Sequence, residues 1–179
     1  MNQPVVPTGA SAGWDTGDVS QVTMMQMSAE FSPCKRFRYA LWRVWDHTKP
    51  FVLFICLNPS IADEKQDSRT SRRCIRFAQS WGFGRLCMAN LFAYRSQDPR
   101  GLWQVSDPVG FGNDRRLGEL ATQAGMVVAA WGHRGSYRNR DKEVVAFIPN
   151  LYCLGKTKEG NPRHPLFVTK ETKPVKYND

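Results

Sequence analysis

Asn58, Pro59 and Ser60 end an apolar run, Phe51 to Leu57, and open a loop that holds Asp63, Glu64 and Asp67. An asparagine fixed by the following proline can hold a water through its side-chain carbonyl, and a nearby carboxylate can act as general base. Asp63 is the candidate for that base, because it lies too early to cap the helix that follows; Asp67, Ser68 or Thr70 is placed to do so. A metal site of Asp63, Glu64 and Asp67 ranks below the base, since no histidine lies nearby and the acids can simply be solvated. Asn90 interrupts a second apolar run with an amide that both donates and accepts, and a buried amide must find a partner in a ligand or in the protein. His164, immediately before Pro165, offers a ring N–H donor. Each has a structural alternative. Asn-Pro after a strand is a common turn, Asn90 can serve a hydrogen bond of the fold, and a lone histidine is often a surface residue.

These side chains depend on the elements that hold them. "FVLFICL" (51–57), "RLCMANLFAY" (85–94), "MVVAAWG" (126–132) and "LYCLGK" (151–156) read as strands buried on both faces. Helices are expected at 69–81, at 113–125 with Asn113 as cap, and around 137–148. The alternation predicts an α/β fold: a three-layer α/β/α sandwich around a mainly parallel four-stranded sheet. "FRYALWRVWD" (37–46) suits a further strand or hairpin arm. Residues 1–33 lack periodicity and are expected to be a flexible N-terminal tail, leaving 34–179 as a single domain. In such sheets the ligand sits at the carboxyl ends of the strands. Those ends are Asn58-Pro59-Ser60, Asn90 to Arg95, Gly132-His133-Arg134, and Lys156 to Phe167.

The 179-residue chain carries a net charge of +9. Residues 1–34 contain three acids and no Lys or Arg, so the remainder carries +12. That balance suits a polyanionic partner, nucleic acid rather than membrane, because no amphipathic basic helix stands out. Residues 134–176 hold ten Lys or Arg against four acids. Arg134, Arg138, Lys156, Lys158 and Arg163 are candidates for phosphate contacts, with a solvated basic face as the alternative. No apolar run approaches the ~20 residues needed to span a bilayer and no secretory signal is read, so a cytoplasmic monomer is expected. Five scattered cysteines without a C-x-x-C pair argue against a disulfide scaffold or a zinc site.

The motifs "LNPSIAD", "NLFAYRSQDP", "AAWG" and "CLGKTKEGNPRHPLF" make the chain, from residue 36 onward, similar to the bacterial and phage family called domain of unknown function 1643. Their order and placement also resemble the uracil-DNA glycosylase superfamily. There a first strand ends in an Asn-Pro or Asp-Pro loop and a second carries a base-reading Asn. A third ends in Trp-Gly, and a His-Pro segment follows the fourth. The counterparts here are Asn58-Pro59, Asn90, Trp131-Gly132 and His164-Pro165. The sequence departs from that pattern in two places. It has Arg163-His164-Pro165-Leu166 where the glycosylases usually show His-Pro-Ser-Pro, and it has acids after Asn58 that the commonest family lacks.

The resemblance implies a monofunctional DNA glycosylase with no metal or organic cofactor, acting on double-stranded DNA. Such hydrolysis builds positive charge on the sugar and negative charge on the departing base. Asn58 and Asp63 would then handle the water, His164 would donate to the base oxygen, and Asn90 would read the base edge. Phe92, Tyr94 and Trp131 would stack on the extruded base, though these aromatics are core in the first instance. Leu166 or Phe167 would fill the gap left in the duplex. In the uracil-specific branch a bulky Tyr follows the motif's Pro; Ser60 stands at that position here. The open pocket implies pyrimidines enlarged at C5, such as hydroxymethyl or glucosyl-hydroxymethyl cytosine in phage DNA. The setting would be antiviral defence, with DNA repair as the other. A lyase is discounted because it needs a pocket amine, for which Lys156 is the one nearby candidate. Two other readings compete: a hydrolase or transferase on free nucleotides or nucleosides, and a non-catalytic module that binds nucleic acid or a modified base.

Overall fold

The computed structural model describes residues 24–60 and 62–178. Its strands are β1 (Gln26–Phe31), β2 (Arg38–Val44), β3 (Phe51–Cys56), β4 (Arg85–Asn90), β5 (Met126–Ala129), β6 (Tyr152–Cys153) and β7 (Val175–Lys176). Its helices are α1 (Arg69–Ser80), α2 (Asn113–Gln123) and α3 (Arg140–Phe147). One seven-stranded sheet runs in the order β1-β2-β4-β3-β5-β6-β7. Strands β4, β3, β5 and β6 are parallel to one another. The pairs β1–β2, β2–β4 and β6–β7 are antiparallel.

The expected four parallel strands therefore form only the centre of a mixed sheet, and antiparallel strands widen it on both sides. The reason lies in side-chain pattern. β1 is partly exposed along its length, and β7 is two exposed residues, so neither shows a buried strand's apolar run. β1 also falls within the stretch expected to be a tail; that expectation fails for residues 26–31, and residues 1–23 lie outside the described residues.

Successive side chains of a strand point to opposite faces, and every side chain of β3 is buried. Phe51, Leu53 and Ile55 pack with Leu117 and Leu120 of α2 and Val144 of α3. Val52 and Phe54 pack with Cys74, Ile75, Phe77 and Ala78 of α1. Helices thus cover both faces of the sheet. Ser68, one of the expected caps, starts α1 by accepting the Ser71 N–H at 3.0 Å. Asn113 is not a cap. The cap position is Gly112 at φ 83, and Asn113 is a buried first-turn residue whose Nδ2 donates to the Asn90 and Leu91 carbonyls at 3.1 Å. α3 starts later than expected because residues 133–139 form a 3-10 turn broken at Tyr137 and Arg138.

β3 lies between β4 and β5, so the crossovers that follow it leave in opposite directions. That reversal opens a crevice at the carboxyl ends of these strands. No helix among the described residues is long and apolar enough to cross a membrane.

Candidate functional site

A cavity of about 550 Å³ opens in that crevice, within the ~300–1,000 Å³ typical of small-molecule sites. Its wall brings together Asn58, Ser60, Asn90, Trp131, Arg134, Arg163, His164 and Phe167. Arg38 and Ser96, which did not stand out in the sequence, join them. No Asp or Glu lines it among the described residues.

Asn58 follows β3 directly, and its Nδ2 donates to the Ser96 carbonyl at 2.9 Å and to the Pro59 carbonyl at 3.1 Å. Both amide hydrogens are spent on backbone. The side-chain Oδ1 is left as the acceptor, with no protein donor among the described residues, which is the orientation a water-holding role needs. The Ser96 N–H returns a bond to the Pro59 carbonyl at 3.0 Å, so two loops lock this amide.

Asn90, the last residue of β4, is 1% exposed. Its Oδ1 faces Nη2 of Arg38 at a long 3.5 Å. The amide oxygen thus has one long contact to the protein, and the amide keeps its donor and a further acceptor site.

His164 accepts the Leu166 N–H at Nδ1, 3.3 Å away, and so starts the short 3-10 turn Pro165–Phe167. A ring nitrogen that accepts carries no proton, which places the proton of the neutral ring on Nε2. Burial pushes the imidazole below its ordinary pKa, favouring that neutral form. Trp131 sits edge-on to Tyr177 at 5.7 Å, and its buried Nε1 has no protein partner. Gly135 packs so tightly on the indole that a Cβ there would come within 2.1 Å of it. Gly132, at φ 72, makes the turn out of β5.

Other candidates lie outside the wall. The Asp63 carboxylate accepts the N–H groups of Lys65 at 2.8 Å and Gln66 at 2.9 Å. These bonds, that of Lys65 foremost, hold it below the usual carboxylate range. Asp63 shapes a turn and does not line the cavity. Asp67 pairs at 2.9 Å with the fully buried Arg43, which also takes the Asp63 carbonyl at 2.7 Å. The Asp67 carboxylate and the Asp63 backbone carbonyl thus strap this loop to β2 through Arg43. Phe92 is fully buried and packs on Tyr137 at 5.7 Å, a core residue. Tyr94 lies between the edge of Phe37 and the guanidinium of Arg36. The guanidinium of Arg138 is spent on the carbonyls of Ser106 and Val105 at 2.8 and 3.2 Å, so it is a loop tether. Lys156 lies 5.4 Å over the Tyr177 ring, and Lys158 is an exposed residue away from the wall.

Phe167 reaches the cavity wall while 77% exposed, and its neighbour Leu166 is 39% exposed. Leu166 also borders a shallow groove formed by Arg69, Arg72, Arg73 and Arg76 of α1. Sequence reading missed this basic row. Its signal was present: spacing of three, four and seven residues places all four on one helix side, opposite the buried Cys74 and Ala78.

No curated protein and no solved structure matches the chain, so the resemblance to the uracil-DNA glycosylase superfamily draws no support from known proteins. A family model does match, over residues 38–166, from the first residue of β2 to the turn after His164. The chain belongs to that family, described as protein of unknown function (DUF1643).

Proposed function

We propose that the chain is a monofunctional DNA glycosylase that hydrolyses the N-glycosidic bond of a C5-enlarged pyrimidine extruded from double-stranded DNA. The observation that carries this reading is the cavity wall shared by Asn58 and His164. Asn58 is locked as an acceptor, suited to a nucleophilic water; His164 is held as a neutral donor, suited to the oxygen of a departing base. Ser60 keeps that wall open where a larger side chain would close it. The exposed Phe167 at the rim is shaped to fill the space an extruded base leaves. The arginine row of α1, with Arg134 and Arg163, supplies phosphate contacts. Among the described residues no side-chain carboxylate lines the cavity, so this reading relies on charge stabilisation by the donors present.

The test is base release by the full chain from four substrates: uracil-containing duplex, unmodified duplex, and phage DNA carrying hydroxymethyl or glucosyl-hydroxymethyl cytosine. Free base and alkali-labile sites are measured, beside turnover of free nucleosides and nucleotides. Release from the C5-modified DNA is expected, and Ser60→Tyr should abolish it while leaving any uracil activity in place. Release of uracil alone, unaffected by Ser60→Tyr, overturns the open-pocket assignment. Turnover of free nucleotides without DNA activity replaces the reading with a free-substrate enzyme, and binding without turnover replaces it with a binding module. Preference for phage bases places the enzyme in antiviral defence; preference for damaged bases places it in repair.

A further inference from the structure

Three arginines are buried: Arg38 at 3% exposure, Arg43 at 0% and Arg140 at 2%. A buried guanidinium without a counter-charge is costly, and folded chains normally pair it. Arg43 is paired with Asp67 at 2.9 Å. Arg140 is paired with Asp114 and, at 3.0 Å, with Glu143. Arg38 has no carboxylate partner among the described residues. Its Nη1 donates to the Ala62 carbonyl and its Nη2 reaches Asn90 Oδ1 at 3.5 Å, while its Nε is buried with no partner among the described residues. Of the three, Arg38 alone stands in the cavity wall, and Ala62 and Asn90 line the cavity with it.

We propose that the floor of this cavity is an anion subsite, in which Arg38 is the charge partner of an oxyanion carried by the ligand. The missing carboxylate is then supplied by whatever occupies the cavity. Planar guanidinium donors suit a delocalised oxyanion, either the deprotonated oxygen of a pyrimidine or the phosphate of a nucleotide. Arg134 and Arg163 in the same wall add to the positive field. Burial lowers the Arg38 pKa to about 10, which leaves it charged at neutral pH. The inference concerns the cavity of the proposed function but rests on the unpaired guanidinium, and it holds whichever reaction takes place there.

Calorimetric titration of the full chain tests it with two probes. Barbiturate is a pyrimidine already anionic at neutral pH, and inorganic phosphate stands for a nucleotide's charge. Binding of either to the wild type, weakened roughly 30-fold or more in Arg38→Met, is the expected result. Barbiturate alone identifies a departing base as the source, and phosphate alone identifies a nucleotide. Thermal melts keep the variant interpretable: without ligand Arg38→Met should melt no lower than the wild type, whereas Arg43→Met should melt lower because it strands Asp67. Should Arg38→Met fail to fold, Arg38→Lys serves in its place, with binding expected to fall because the fork is lost. Absence of binding of both anions to the wild type overturns the proposal, as does equal binding by wild type and variant. Base release with no anion binding sinks this inference and spares the glycosylase reading. Arg38-dependent anion binding with no base release does the reverse.

Discussion

In the proposed function Asn58 would act through the atom it leaves unbonded. Because Ser96 and Pro59 take both amide hydrogens, the carbonyl oxygen cannot be swapped for the amide nitrogen without breaking both contacts. Asn58→Ala should lower turnover by roughly 10²–10⁴, the scale of a lost positioning or acid–base group, with DNA affinity in gel-shift titrations unchanged. Asp63→Ala, measured beside it, should turn over like the wild type, because Asp63 only shapes its own turn. A collapse of activity in Asp63→Ala would restore it as the base. His164 adds a pH dependence with a definite sign. Its folded-state pKa lies below 6.5 through burial, so between that pKa and 6.5 the unfolded chain binds more protons. Stability therefore falls as pH drops through 6.5 and stops falling once the folded-state group titrates. The melting temperature of the wild type should accordingly fall relative to that of His164→Gln as pH drops through that window. Parallel curves for the two proteins would show that His164 is not held neutral.

At the scale of elements, α1 and the turn behind it make one surface. The Arg73 guanidinium donates to the Val168 carbonyl, which ties the basic row to the chain just beyond Phe167. If this surface grips duplex DNA, Arg72→Ala and Arg76→Ala should each reduce the salt slope of binding by about 1. Phe167→Ala should depress base release from paired duplex more than from single strands, since only the duplex has a gap to fill. Equal losses on both substrates, with an unchanged salt slope, would assign the surface to packing. The four central strands and α1 were legible because their apolar runs are unbroken and their helical period is strong. β2 was read as an arm because it alternates basic and aromatic residues. In the sheet, its Arg43 is buried by its ionic bond to Asp67, an interaction that no local pattern reveals. The cavity residues Asn58, Asn90 and His164 were legible for a simpler reason: each is a polar break beside an apolar run at a strand end. Arg38 was not, because its significance is the absence of a partner, and only the packed structure shows which arginines have one.

At the scale of the molecule, the site is assembled from pieces far apart along the chain. Arg38 comes from the strand before the first crossover, Asn58 and Asn90 from the two strands beside the switch, Trp131 from the third and His164 from beyond the fourth. β2 must also wait for β4 before it has an inner neighbour. A ribosome adds about 5–20 residues per second, so some 5–20 s of synthesis separate Asn58 from His164. During that interval the nascent chain has half a pocket. It carries the Asn58 loop but neither the Trp131 wall nor the His164 donor. A chain halted anywhere upstream of His164 would therefore lack the donor that the proposed function needs, however much of the sheet it had formed. On the proposed function, activity against DNA would arise only on completion of nearly the whole family-matched segment, in a single late step of biogenesis.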